Sequence, residues 1–292
     1  MRLSTSFATP RMFAHHDSEL ARSFAGCLGL ENELVVLTRD GNLVRDIRPL
    51  LHHIWNTASD ELKELVVGEF QRWQLELKTR PYPTFQQAMD EFVKILNIAR
   101  QCADDLGFRL EAIEYLDTDE KFGFGGVSTL HPAYMAYARA NQHKVEAMCR
   151  VASLQINIGM GSFAQSLRAH NRLLAPDVMN YILENWADPR RVQLFDDTIF
   201  PGYKSYAPVR SGEELIRRIQ DYGYLHEPGR FYPPDRLHHD HPTNEERRLG
   251  ATTDVDRIRE MFAYSWSHCY PGIAAPMTTA DLVADRRILL AA

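Results

Sequence analysis

Cysteine is scarce in this 292-residue chain: four residues, Cys27, Cys102, Cys149 and Cys269, stand far apart. No Cys-x-x-Cys pair occurs, so neither a zinc knuckle nor a disulfide framework is suggested, and reduced thiols are the default. Missing too is any run near the ~18 consecutive apolar residues that a membrane helix needs. Residues 1–16 lack the uninterrupted apolar centre of a secretory signal. Basic charge is not in excess either. The net charge is -6 and the isoelectric point lies near 6.1, which argues against a nucleic-acid footprint. Internal repeats and low-complexity segments are absent, and no Ser-His-Asp or Cys-His constellation is visible. What remains is 45% hydrophobic and 25% charged, an ordinary composition for a globular protein with ample core. A soluble, cytoplasmic protein with no membrane and no nucleic-acid partner is expected.

Chemistry starts at residues 29–37, which alternate as a strand and lead into Asp40-Gly41 and a returning Asn42-Leu43-Val44. An Asp-Gly pair between apolar runs is a strong hairpin signal. In a period-2 strand Glu31 and Glu33 share one surface while Leu30, Asn32, Leu34 and Val36 occupy the other. Two like charges so close raise each other's pKa or take a cation between them, and hard cations such as Mg²⁺ favour oxygen ligands. A solvated strand face is the plainer reading of Glu-x-Glu alone.

Further along, residues 73–79 alternate as a short strand stopped by Pro81 and Pro83, with Glu76 opposite Leu75 and Leu77. Residues 49–55 and 60–67 have helical spacing, and Thr84 caps a long amphipathic pattern ending at Gly107. A strand follows over 108–115. The glycines of 122–126 lack the Lys-Ser/Thr of a phosphate loop and read as a mobile loop. His131-Pro132 opens a helix to about Met148. Residues 151–158 form a strand in which Gln155 and Asn157 alternate with Leu154, Ile156 and Ile158, so two amides either build a polar network or line a site. Spacing is helical over 162–186 with a break at Pro176, irregular over 189–208, and helical again from Ser211 to Tyr222. Near the end, Thr243-x-Glu245-x-Arg247 would present a hydroxyl, a carboxylate and a guanidinium on one strand face, a trio suited to a metal-bound phosphate. His238, His239 and His241 just before it invite a zinc reading, although their spacing matches no standard zinc signature. Helices capped at Asp254 or Thr253, and at Thr278 or Thr279, close the chain, and residues 1–24 read as a leader or pairing segment.

Taken in order, four of these stretches resemble the glutamate-cysteine ligase family, in its carboxylate-amine ligase branch. Gly29-Leu30-Glu31-x-Glu33 is similar to the family's opening Gly-Ile/Val-Glu-x-Glu strand, and Leu75-Glu76-Leu77-x-Thr79 to its Leu-Glu-Leu-x-Thr strand. Thr129-x-His131-Pro132 resembles its Thr-His-Pro. Asp235-Arg236 followed by Thr243-x-Glu245-x-Arg247 resembles its Asp-x-Arg-Pro and Gly-Thr-x-Glu-x-Arg elements. There are departures. Gln155-Ile156-Asn157 stands where many members carry His-x-His, Arg72 where relatives place a carboxylate, and Gly250 where an Asp often follows the last strand.

The resemblance implies a single catalytic domain over 1–292 with the fold of the glutamine synthetase catalytic domain. This is an α/β (α+β) architecture with a curved, largely antiparallel sheet, carboxylates on the concave face and helices on the convex one. It implies Glu31, Glu33, Glu76 and Glu245 as Mg²⁺ (or Mn²⁺) ligands, with Glu76, Arg236 and Arg247 in the catalytic machinery. Gln155, Asn157, Thr243 and Arg247 would lie against ATP. The implied reaction is ATP-dependent amide formation through an acyl phosphate, joining a small carboxylate, such as an amino acid, to an amine. An inactive nucleotide- or partner-binding relative, a kinase of the same fold, and assembly as a homo-oligomer are the alternatives carried forward.

Overall fold

The computed structural model describes residues 11–57, 59–223, 233–238, 242–282 and 286–291. The alternating stretch at 29–37 becomes the organising strand β1 (Leu28–Thr38). Around it stand β2 (Val66–Gly68), β3 (Gln74–Lys78), β4 (Phe108–Glu111), β5 (Leu154–Gly159), β6 (Asp235–Leu237) and β7 (Thr243–Glu246). Their order is β2-β3-β1-β5-β7-β6, with β4 on the far end of β1, and each named pairing is antiparallel. The mixed helical and antiparallel architecture agrees with the expected fold class.

One face of the sheet is apolar because alternation puts it so. Leu30, Leu34 and Val36 of β1, Leu75 and Leu77 of β3, and Leu154, Ile156 and Ile158 of β5 join a single buried cluster. The helices Phe85–Asp105 and Val255–Cys269 cover it with Ala88, Phe92, Ile95, Ile258 and Phe262. Burying each large apolar side chain is worth about 1.5–3 kcal/mol, so this face carries much of the fold's stability. Both helices begin where the sequence signals: Thr84 accepts from the Gln87 N–H, and Asp254 from those of Asp256 and Arg257. Gly107 follows the first helix at φ 74°, a left-handed value that glycine adopts without strain. On the other face, the carboxylates of β1 give way to Val35 and Leu37, which enter a second cluster with Trp73, Phe122, Phe163 and Tyr203.

Several segments differ from expectation. Residues 60–67 are helical only over Asp60–Lys63, and Val66–Gly68 is a strand, because pairing with β3 satisfies its backbone and sets Val66 opposite Leu77. After Asp40-Gly41 the chain returns as a single bridge, Leu37 to Leu43, closed by the Val44 N–H donating to the Val36 carbonyl and the Thr38 N–H to that of Asn42, while β4 pairs along the opposite edge of β1. The glycine loop is a short turn, Gly123–Gly126, with Phe122 4.4 Å from the Trp73 ring. Its Phe122 and Gly123 N–H groups donate to Glu146, so they form no phosphate cradle. The helix after His131 is two, Pro132–Ala140 and Gln142–Met148. The irregular stretch at 189–208 holds a helix, Pro189–Leu194, capped by Asp188, and a wider turn, Phe195–Ile199. In the N-terminal segment, Phe13 and His16 are buried and Asp17 accepts from the Phe163 N–H at 2.9 Å, so residues 11–24 are part of the packed fold. His239 and His241 lie outside the described residues.

Candidate active site

Antiparallel register alone aligns the polar residues into rows across one face of the sheet. Glu33 stands opposite Glu76, and Glu31 stands between Lys78 on one side and Gln155 on the other. A third row runs through Asn157, Glu245 and Arg236. Opposed side chains in such pairs have Cβ atoms about 4.5–5.5 Å apart, so the rows are in mutual contact. Every site residue anticipated from the sequence therefore lies on this face or, for Arg247, one residue beyond β7.

Hydrogen bonds tie the rows together. Gln155 donates to Glu33 at 3.2 Å, and the Ser153 N–H donates to the other Glu33 oxygen at 2.8 Å. Asn157 donates to Glu31 at 3.2 Å and accepts from the Thr243 hydroxyl at 3.3 Å. Arg247 donates to Gln155 at 2.9 Å and pairs with Glu245. Arg236 reaches the second Glu245 oxygen through Nε at 2.7 Å and through its terminal nitrogen at 2.5 Å. Lys78 contacts Glu76 at 2.8 Å.

The carboxylates separate into two electrostatic classes. Burial, reinforced by the charges of Glu76 and Glu245, pushes Glu31 up to about 8. Burial and then Glu76 push Glu33 up to about 7. Burial and then Glu69, within hydrogen-bond reach, lift Glu76 to about 8. These groups crowd like charges, and each resists ionisation near neutral pH. Glu245 is the reverse case: burial opposes ionisation, but Arg236 and Arg247 outweigh it and hold the carboxylate down at about 2.

Two cavities open on the carboxylates and share Glu31. The first, about 380 Å³, is lined on its charged side by Glu31, Glu33, Glu69, Glu76, Lys78, Arg236 and Arg247. Its opposite wall includes Phe70, Tyr134, Met148, Phe195 and Ile199, with His131 at the edge. The second, about 350 Å³, lies among Leu20, Phe24, Cys27, Leu30, Pro81 and Pro242, with Asn157 and Thr243 beside Glu31. Only glycine fits at position 159, where a Cβ would stand 2.0 Å from the Phe24 carbonyl oxygen, and this close approach seats the N-terminal helix at the second cavity.

The donor chemistry fits a hard divalent cation. Glu31 and Glu76 lie within hydrogen-bond reach of each other, an arrangement of two carboxylates that needs a shared proton or a cation. Among the described residues no three acidic, imidazole or thiol groups already form a ligand cage, so the cluster is open. Two of its members carried no sequence signal. Glu69 follows β2 immediately and arrives through the β2–β3 pairing, and Lys78 is the variable position of the Leu-Glu-Leu-x-Thr stretch.

The sequence profile described as Glutamate-cysteine ligase family 2 (GCS2) matches residues 27–176, just over half of the 292. No curated protein matches the chain in sequence. Among solved structures, a bifunctional glutathione synthetase from Pasteurella multocida superposes at a TM-score of 0.59 with 15% identity, over 96% of this chain and 43% of that one. A glutamate–cysteine ligase from Francisella tularensis, solved in complex with AMP, superposes at 0.57 with 12% identity, over 91% of this chain and 70% of that one. At such identities the likeness is one of fold, and the chain spans less than half the synthetase's length. The profile runs through β1, β3 and β5, the strands that carry Glu31, Glu33, Glu76, Gln155 and Asn157, and the chain belongs to glutamate-cysteine ligase family 2.

Proposed function

We propose that the chain is an ATP-dependent carboxylate-amine ligase acting on small molecules. The observation that carries this reading is the pair of cavities meeting at Glu31, one apolar and one bordered by arginines, with the carboxylate rows between them. The apolar cavity suits a flat base, and its Asn157 and Thr243 lie next to the carboxylates where a polyphosphate would end. The charged cavity suits an anionic carboxylate substrate. Arg236 and Arg247 face it and are held rigid by Glu245.

In this reaction a substrate carboxylate oxygen attacks the γ-phosphorus of ATP, the bond to the bridging oxygen breaks, and ADP departs. An amine nitrogen then attacks the acyl carbon, phosphate leaves, and the nitrogen gives up a proton. Transfer of this kind needs positioning and charge neutralisation more than a nucleophilic side chain. Arg236 and Arg247 supply fixed positive charge to the transferring group. Gln155 keeps the Arg247 guanidinium aimed and Glu33 in place. When bound at Glu31, Glu33 and Glu76, Mg²⁺ would neutralise phosphate charge. Glu245, ionised and paired to both arginines, would join that set only by exchanging one of these pairings for the ion.

No helix among the described residues is long and apolar enough to cross a membrane, and the four cysteines, buried and joined in no disulfide, suit the cytoplasm. Incubation with ATP, Mg²⁺ and panels of amino acids and amines should release ADP and give an amide detectable by mass spectrometry. ADP without an amide would identify a kinase. Absence of both turnover and ATP binding by calorimetry overturns the nucleotide reading altogether. The inactive-relative reading draws on Lys78, whose ammonium sits in the carboxylate cluster, and it requires that ATP binds while Glu33→Gln changes nothing.

A further inference from the structure

We infer that Lys78 is a built-in cation of the carboxylate cluster, taking the place of one divalent ion, so that the site without nucleotide holds a single divalent cation. The inference rests on the metal-dependent reading above and adds the number of ions. Three observations carry it. Register sets Lys78 directly opposite Glu31 on the polar face. Its ammonium lies 2.8 Å from Glu76, whose side chain is only 3% exposed. Glu76 in turn is within hydrogen-bond reach of both Glu31 and Glu69, and the charges of those two carboxylates also act on the ammonium.

The charge balance points the same way. Glu31, Glu33, Glu69 and Glu76 line the first cavity, and Glu245 borders it through its arginines. Against these five carboxylates stand Lys78, Arg236 and Arg247. With all five ionised, as binding of a divalent ion to them requires, two negative charges remain among the described residues, the charge of one such ion. Both arginines pair with Glu245, and in the described contacts the cationic side chain bonded within the Glu31, Glu69 and Glu76 group is Lys78. An ammonium has three donors and a fixed charge but accepts no ligand bond, so it can balance charge where a metal would bind but cannot itself be exchanged.

Mn²⁺ counted by electron paramagnetic resonance, with the full chain at neutral pH and no nucleotide, tests this directly. One ion per chain is expected for the wild type. Lys78→Met should admit a second ion, and the first should bind roughly tenfold tighter, because a unit charge a few ångströms away has been removed. Lys78→Arg should keep one ion, and Lys78→Met combined with Glu76→Gln should return to one. Lys78 is more than a third exposed, and Lys78→Gln serves as the second neutral variant if circular dichroism finds Lys78→Met unfolded. A wild type that binds no ion or two, or a folded neutral variant whose count and affinity match the wild type, overturns the inference. The assay contains no ATP. A protein that passes it yet releases no ADP therefore refutes the ligase reading alone, and a working ligase with an unchanged count refutes only the role of Lys78.

Discussion

The two faces of β1 obey opposite rules. On one, Leu30, Leu34 and Val36 are sealed against helices, and the buried polar residue among them, Asn32, donates to the Thr252 carbonyl at 2.9 Å while its own side-chain oxygen has no hydrogen-bond partner among the described residues. On the other, one residue out of phase, Glu31 and Glu33 are crowded with Glu76, and burial with like charge makes them resist ionisation. The first face removes water to gain stability. The second gives up stability, because like charges are gathered where they can be balanced only by protons, Lys78 or an incoming cation. The strand is thus both the centre of the core and the floor of the site, and single substitutions on its two sides should fail in different ways.

The largest effect is expected on the apolar side. Leu34→Asp places an unpaired charge in a site with 0% exposure, and loss of the folded state, by more than about 4 kcal/mol, should follow. A cooperative thermal transition within a few degrees of the wild type would contradict that account of the core. On the polar side the loss should be in rate. Glu33→Gln, Glu245→Ala and Arg247→Ala should each lower turnover by about 10² to 10⁴, as does removal of one preorganised electrostatic group. Of these, Glu33→Gln should melt no lower than the wild type, since a neutral amide relieves the crowding. Calorimetric melting beside a coupled ADP assay separates the two outcomes.

A smaller effect concerns Gly250, the position without the family's Asp. A Cβ there would stand 1.9 Å from a Glu114 oxygen, and that carboxylate accepts from the Asp188 N–H at 2.7 Å at the start of a helix. Gly250→Ala should therefore cost about 1–3 kcal/mol through overpacking, read as a shift in denaturation midpoint. Glu114→Ala in the same chain should recover part of the loss, and additive losses would count against the steric account.

The mildest test is pH. Glu31, Glu33 and Glu76 are raised from 4.5 to about 8, 7 and 8 in the fold, so the unfolded chain binds fewer protons between those values. Stability from these groups is then full below about pH 4.5 and declines as pH rises toward 8. Urea midpoints in the presence of a chelator should show that decline, and saturating Mg²⁺ should flatten it. A midpoint rising with pH over that range would reverse the assignment of the crowded face.

Legibility followed locality. Glu31 and Glu33, and likewise Gln155 and Asn157, could be placed on one face because strand alternation is a property of adjacent residues. Thr84, Ser211 and Asp254 could be read as caps for the same reason. Residues 60–67 carry helical spacing at Leu62, Leu65 and Val66, yet only Asp60–Lys63 is helical, because the β3 partner converts 66–68 into a strand. Prolines made 189–208 look irregular, yet Pro189 sits in the first helical turn, where its missing N–H costs nothing.

By itself, then, the sequence determined which residues alternate, where helices start, and that acidic, amide and basic side chains recur on strand faces. The tertiary structure decided that Glu76 meets Glu33, that Glu69 joins them, that Lys78 lies against Glu76, and that Glu245 is neutralised by two arginines. The reason is physical. Facing along a strand is set by backbone geometry over two residues, whereas cross-strand register between residues tens to hundreds of positions apart is set by the packing of the whole apolar face, and charge balance in the site follows from that register.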